Sequence, residues 1–177
     1  MSIRRTRIHI LGNCQASVLA ECLSALLPDA EVTRAPGTAL GGLRDIAADH
    51  DWMLVQRPRA LAERHLDAAD HERLISWPRL TFTGYHPDAV VAQSGAGRLI
   101  GPLTYCHSAL ALFGWKEGLP AGKTADLFQE ETFEALGYFD TWERSRGDLL
   151  REARNTDMAL DGALDAWARD GCFMHTF

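Results

Sequence analysis

The sequence predicts an α/β domain, a parallel sheet flanked by helices with a helical subregion at its C-terminal end. Three observations predict it. Apolar runs of strand type alternate with stretches of helical periodicity from Ile8 to Gln56, and the order strand, helix, strand, helix, strand implies a parallel sheet. The chain has 177 residues, 46% hydrophobic and 24% charged, enough for one domain to bury a core without disulfides or metals. Finally, residues 124–171 carry almost uninterrupted helical spacing.

The first strand is the apolar run Ile8, Ile10 and Leu11. Gly12 and Asn13 follow, the residue types most tolerant of the unusual backbone angles of a sharp turn. Val18, Leu19, Cys22, Leu23, Leu26 and Leu27 then recur at helical spacing until Pro28 stops them, which predicts Cys22 as core. This places Cys14 in the first turn of a helix, where unpaired N–H groups and the positive end of the helix dipole stabilise a thiolate and can bind an oxyanion or phosphate.

Residues 30–34 form a second, weaker strand, and 35–42 a loop rich in breakers. Leu43 to His50 is a short helix. Asp51 to Gln56 is a buried strand that Arg57-Pro58 stops, so Gln56, like Cys14, falls at a strand's carboxyl end, where such sheets bind ligands. The stretch 60–76 reads as a polar helix broken near Asp70, with Leu74 and Ile75 on its stripe. Leu80 to Thr83 reads as another strand, which would put His86 at a third strand end. Residues 93–102 are loop-like and carry Arg98. Thr104 to Glu117 has helical character, with His107 and Ser108 in its first turn. Thr124 to Phe139 is a helix, Asp140 and Glu143 cap a second, and Thr156 or Asp157 caps a third that ends at Gly171. The last residues, 172–177, are strand-like.

A net charge of −6 argues against a general nucleic-acid binder. Met1 to Arg7 is too short a lead-in for a secretory signal, and no run approaches a membrane span, so the expected location is cytoplasmic. The cysteines, Cys14, Cys22, Cys106 and Cys172, are then reduced thiols. Cys172 and His175 have ligand-like spacing, but a closed zinc site needs four ligands, and no metal is expected.

Gly12-Asn13-Cys14-Gln15 after an N-terminal strand, Gly84-Tyr85-His86-Pro87-Asp88, and Tyr105-Cys106-His107-Ser108 together resemble the WcbI-type family of capsular polysaccharide biosynthesis proteins. The resemblance spans Ile8 to His175, nearly the whole chain. It implies a coenzyme A-binding acetyltransferase that moves acetyl from acetyl-coenzyme A to a sugar hydroxyl, with acetyl-coenzyme A and a glycan acceptor as its partners. It also implies one domain over 1–177, shortened at its C-terminal end. The order of elements is similar to that of the SGNH hydrolases, which place a catalytic histidine late in the chain. This chain has Gly-Asn-Cys where Gly-Asp-Ser would stand.

The candidate chemistry centres on Cys14 as nucleophile, against the plainer reading of a small buried hydrophobe. Its base is His175 by order along the chain, with His107 and His86 as rivals. His9, His50, His65 and His71 read as structural or solvated. Asn13, Gln15 and Gln56 supply amide donors for an oxyanion or for substrate hydroxyls, beside Gly12 at the turn and Ser108 further on. Arg57, Arg59, Arg98 and Lys123 are candidate partners for the coenzyme's phosphates. Two mechanisms fit: Cys14 is acylated, or a histidine activates the acceptor for direct attack and Cys14 shapes the pocket. A cysteine esterase and a non-catalytic module binding coenzyme A or a glycan are the rival functions.

Overall fold

The computed structural model describes residues 4–37, 40–101 and 106–170. Among these, 4–80 and 148–170 belong to one compact unit and 81–147 to another. In the first unit a four-stranded parallel sheet is built from β1 (Thr6–Gly12), β2 (Ala30–Pro36), β3 (Trp52–Val55) and β4 (Leu74–Ser76), in the order β2-β1-β3-β4. The helices α1 (Gln15–Leu26) and α2 (Leu43–Asp49) make the crossovers, and α3 (Arg59–Glu63) follows β3.

Side-chain alternation along β1 divides the core between the two faces of the sheet. Ile8 and Ile10 pack with Ala16 and Ala20 of α1 and with Trp77. Leu11 packs with Leu43 and Ala47 of α2 and with Met53 and Val55 of β3. Ile10 and Met53 are wholly buried, each contributing on the order of 2 kcal/mol from apolar burial. Small residues face the sheet from α1, while Cys22 is exposed, as are Val18 and Leu26. The apolar stripe expected to bury Cys22 is therefore wider than the surface α1 covers.

The α2 face also buries a polar cluster. The His9 Nδ1 lies 2.8 Å from Thr33 Oγ1, which lies 2.9 Å from His50 Nε2, and His50 Nδ1 lies 2.9 Å from the Ile46 carbonyl. The carbonyl requires the proton on His50 Nδ1, so Thr33 donates to Nε2 and accepts from His9 Nδ1–H. His9 Nε2 is then a buried acceptor without a partner. Burial, and secondarily the neighbouring His50, holds the His9 pKa below its ordinary value.

The strand expected at 80–83 is instead β4 at Leu74–Ser76, preceded by a 3-10 segment at Ala68–Arg73. What holds so short a strand comes from far along the chain. Asp157 accepts from the Ser76 N–H at 2.7 Å and from Arg59 Nη1 at 2.7 Å, and its own N–H meets the Ser76 carbonyl at 3.0 Å. Arg59 also pairs with Glu63 at 2.8 Å, and these carboxylates, Asp157 foremost, raise its pKa. The third predicted helix is shorter than expected: α8 spans Ala163–Arg169, and Thr156 accepts from the Met158 N–H in the turn before it.

In the second unit, β5 (Ala89–Val91) pairs antiparallel with β8 (Cys106–Ser108), and β6 (Gln93–Ser94) with β7 (Gly97–Arg98). The hairpin turn uses Gly97 at φ +117, open only to glycine at no cost. The predicted helix from Thr104 thus begins five residues late, as α4 (Ala109–Lys116), and Ser108 is its N-cap, accepting from the Ala111 N–H at 3.0 Å. The predicted helix 124–139 is broken into α5 (Ala121–Ala125), α6 (Glu130–Ala135) and a 3-10 turn at Tyr138–Asp140. Gly137, at φ +68, lies between the last two. The helix α7 (Thr141–Ala153) begins in this unit, and its residues from Asp148 onward belong to the first. Phe82, Tyr85 and Trp142 pack edge to face with ring centroids 4.8 to 5.3 Å apart. A Cβ on Gly84 would lie 2.7 Å from the Phe82 ring, so the glycine leaves room for these rings.

Among the described residues, no helix is long and apolar enough to cross a membrane.

Candidate active site

The strand order reverses between β1 and β3, because the chain goes from β1 to β2 on one side and then returns to lay β3 on the other. Open α/β sheets bind ligands at this point, outside the carboxyl ends of the strands. A cleft of about 400 Å³ lies there, lined by Asn13 from the end of β1, by Gln56, Arg57 and Pro58 from the end of β3, and by Arg79 and Glu152.

Its floor is set by side-chain amides. Gln15 clasps the backbone of Leu80, its Nε2 donating to the carbonyl at 2.6 Å and its Oε1 accepting from the N–H at 3.1 Å. That clasp fixes which end of the Gln15 amide is oxygen. The same Oε1 accepts from Gln56 Nε2 at 2.8 Å, so Gln56 turns its Oε1 to the Asn13 N–H, at 2.9 Å. Gln56 is 4% exposed. Both amides hold the turn after β1, and Gln15 spends one of its two Nε2 donors on Leu80. The clasp also explains the missing strand at 80–83, since the backbone groups of Leu80 are already paired.

Gly12 is required here for space and not for its backbone angle. Its φ is not positive, but a Cβ would stand 2.9 Å from the Trp77 ring and 3.1 Å from Gln56 Cβ. The chain can then pass between these two side chains into α1.

Cys14 is the N-cap of α1 and is exposed. Asn13 Oδ1 accepts from the Gln15 N–H at 3.0 Å, the Asn13 carbonyl from Ala16, and the Cys14 carbonyl from Ser17. The leading amides of the helix are therefore mostly occupied by the turn itself. Among the described residues, the Cys14 N–H has no protein acceptor, and the Asn13 Nδ2 group donates to none. Both donors belong to Cys14 or to the residue before it.

Glu152, which lines the cleft, accepts from the Arg79 N–H through Oε1 at 3.0 Å. Arg79 is exposed, and among the described residues its guanidinium makes no ion pair. The Arg57 carbonyl accepts a short hydrogen bond from Ser76 Oγ, which fixes the backbone at the end of β3.

The fold thus brings together Gly12, Asn13, Cys14, Gln15, Gln56 and Arg57. Arg59, of the same unit, is held by Asp157 and Glu63, while His86, Arg98, His107, Ser108 and Lys123 belong to the other unit. His86 is exposed in a turn, its N–H bonded to the Thr83 carbonyl, and does not stand at a strand end. His107 lies in β8 with Nε2 3.0 Å from the Leu99 carbonyl, Ser108 caps α4, and Arg98 sits in β7. His175 and Cys172 lie outside the described residues. Sequence reasoning missed Arg79 and Glu152. Placing β4 at 74–76 would have put Arg79 just beyond a strand end, whereas Glu152 has no local signal.

A family model, that of the polysaccharide biosynthesis enzyme WcbI, matches residues 7–177 of the chain. No curated protein and no solved structure matches it.

Proposed function

The chain belongs to the WcbI family of polysaccharide biosynthesis enzymes, and from that premise we propose that it transfers acetyl from acetyl-coenzyme A to a hydroxyl of a glycan. One observation carries the reading: an exposed cysteine caps α1 directly beside a polar cleft at the switch point of the sheet.

In this mechanism the Cys14 thiolate attacks the thioester carbonyl, and the negative charge gathers on the carbonyl oxygen. The Cys14 N–H and Asn13 Nδ2 donate to that oxygen. Collapse expels coenzyme A as its thiolate and leaves acetyl on Cys14. A glycan hydroxyl then attacks the acetyl group, passes its proton to a base, and releases Cys14. The base is assigned to His175 from its position in the chain, with His107 as its rival. Guanidinium groups are the side chains suited to hold the coenzyme's phosphates. The reaction is placed in the cytoplasm, where acetyl-coenzyme A is made.

The test is a melting scan with coenzyme A, acetyl-coenzyme A, ATP and NAD, since a ligand of the folded state raises the midpoint by mass action. A rise specific to the two coenzyme A species is expected. No rise from either contradicts the proposal. The variants His175→Ala and His107→Ala then decide the base, because only the true base should slow acetyl transfer while leaving the coenzyme A shift intact.

A further inference from the structure

The second unit carries a cleft that the mechanism does not use. It holds about 520 Å³ and is lined by Trp115 from α4, Leu119 from the turn after it, Thr124 from α5 and Phe128 just beyond. No lining side chain is charged, and the Thr124 hydroxyl donates to the Pro120 carbonyl at 3.3 Å.

The backbone fixes this cleft in advance. Helix α4 ends in a paired turn in which the Leu119 N–H meets the Gly114 carbonyl at 2.8 Å and the Gly118 N–H meets the Trp115 carbonyl at 3.2 Å, closed by Gly118 at φ +69. Pro120 then opens α5. A Cβ on Gly114 would fall inside the Thr124 side chain, so α5 lies directly against α4 at that point. Trp115 is left 80% exposed and Phe128 47% exposed in a site whose walls are already set. A tryptophan offers a large apolar surface, and folding leaves this one in water.

The charge and the lining together indicate what covers it. Residues 109–128 hold two lysines, one glutamate and one aspartate, so the segment has no net charge and no pull on a polyphosphate. The family works in polysaccharide biosynthesis. A pyranose ring with equatorial substituents has flat faces of C–H bonds that pack on aromatic rings, while the hydroxyls around its edge stay in water. An open, uncharged cleft with aromatic walls suits that contact, and its fixed form spares a sugar chain the entropy of ordering it.

We infer that this cleft is a platform for a neutral glycan chain, with Trp115 and Phe128 packed on the faces of equatorially linked pyranose rings. It is a binding surface and takes no part in bond making. The inference rests on the family's work on polysaccharide and is independent of acetyl transfer.

The experiment titrates the whole chain with cellohexaose and with glucose by calorimetry, in wild type, Trp115→Ala and Phe128→Ala, with a melting scan of each protein as the check on folding. Cellohexaose is expected to bind at least about tenfold more tightly than glucose, and each variant to weaken it at least about tenfold. Neither variant should alter the melting shift given by coenzyme A. The inference is overturned if cellohexaose does not bind, or if Trp115→Ala binds it as the wild type does. It is overturned too if Trp115→Ala removes the coenzyme A shift, which would make the cleft part of the coenzyme's site. Light scattering that shows a dimer lost in Trp115→Ala would make it an interface between copies, and neutral phosphatidylcholine vesicles bound only by the wild type would make it a lipid contact; either result replaces the glycan. Cellohexaose binding without any coenzyme A shift would instead sink the acetyltransferase reading and leave the glycan platform standing.

Discussion

Two half-buried polar clusters adjoin strand β1, and they are built on opposite chemistry. At the carboxyl end, Asn13, Gln15 and Gln56 form a chain of neutral amides in which both ends of each glutamine side chain are paired. In mid-sheet on the α2 face, His9, Thr33 and His50 form a chain of titratable rings joined through one hydroxyl, with His9 Nε2 left over. The amide chain keeps its hydrogen bonds at any pH the protein meets. In the imidazole chain His9 Nε2 has no partner, and burial opposes its protonation. The difference separates what positions the site from what limits the fold's tolerance of acid.

The largest effect should come from breaking the amide chain. Gln56→Leu keeps the bulk but leaves the Asn13 N–H and one Gln15 lone pair unpaired in a buried place, at a cost of about 3 kcal/mol in urea unfolding. That loss should be the same at pH 6 and pH 8, and a pH-dependent value would blur the contrast. Gly12→Ala presses a methyl group on Trp77 and Gln56 and should cost about 2 kcal/mol, with melting-temperature loss as the readout.

The imidazole chain should respond differently. Thr33→Val removes the hydroxyl that joins the rings, and should cost about 1 to 2 kcal/mol at pH 8. The wild type carries its own pH signature. Above pH 6.5 His9 is neutral in both states. As pH falls below about 6.5 the unfolded chain takes up the proton first, because burial holds the folded pKa lower. Stability therefore falls from there down to the folded pKa, by at most about 1.4 kcal/mol per pH unit for this one group, and the fall stops once the folded form protonates too. Unfolding curves from pH 8 to 5 should show that slope, and His9→Asn should flatten it. An unchanged slope in the variant would move the acid sensitivity elsewhere. The smallest effect belongs to Arg79→Gln, within about 0.5 kcal/mol, since this exposed guanidinium makes no ion pair among the described residues.

The same contrast explains what could be read in the sequence. The turn from β1 into α1 was legible because its signals are local: an apolar run, Gly12-Asn13, then helical spacing stopped by Pro28. Gln56 was legible as a strand end, but its role was not, because its partners lie 41 and 43 residues away. Strand β4 was hidden for the same reason. Leu74 and Ile75 match a helical stripe, and what makes them a strand is the ladder with β3 and the clamp from Asp157, 81 residues on. Glu152 meets Arg79 only across 73 residues, beyond any local pattern. In the helical stretch, the hydrophobic spacing gave no warning of the break at Gly137, where the backbone turns left-handed.

The measurement that tests the account most directly is release of free coenzyme A thiol from acetyl-coenzyme A, with and without an oligosaccharide acceptor, in wild type and in Cys14→Ser. Acceptor-dependent release in the wild type that falls at least about a hundredfold in the variant is the predicted result. Undiminished release by Cys14→Ser would contradict an acetylated Cys14 and leave direct attack as the mechanism.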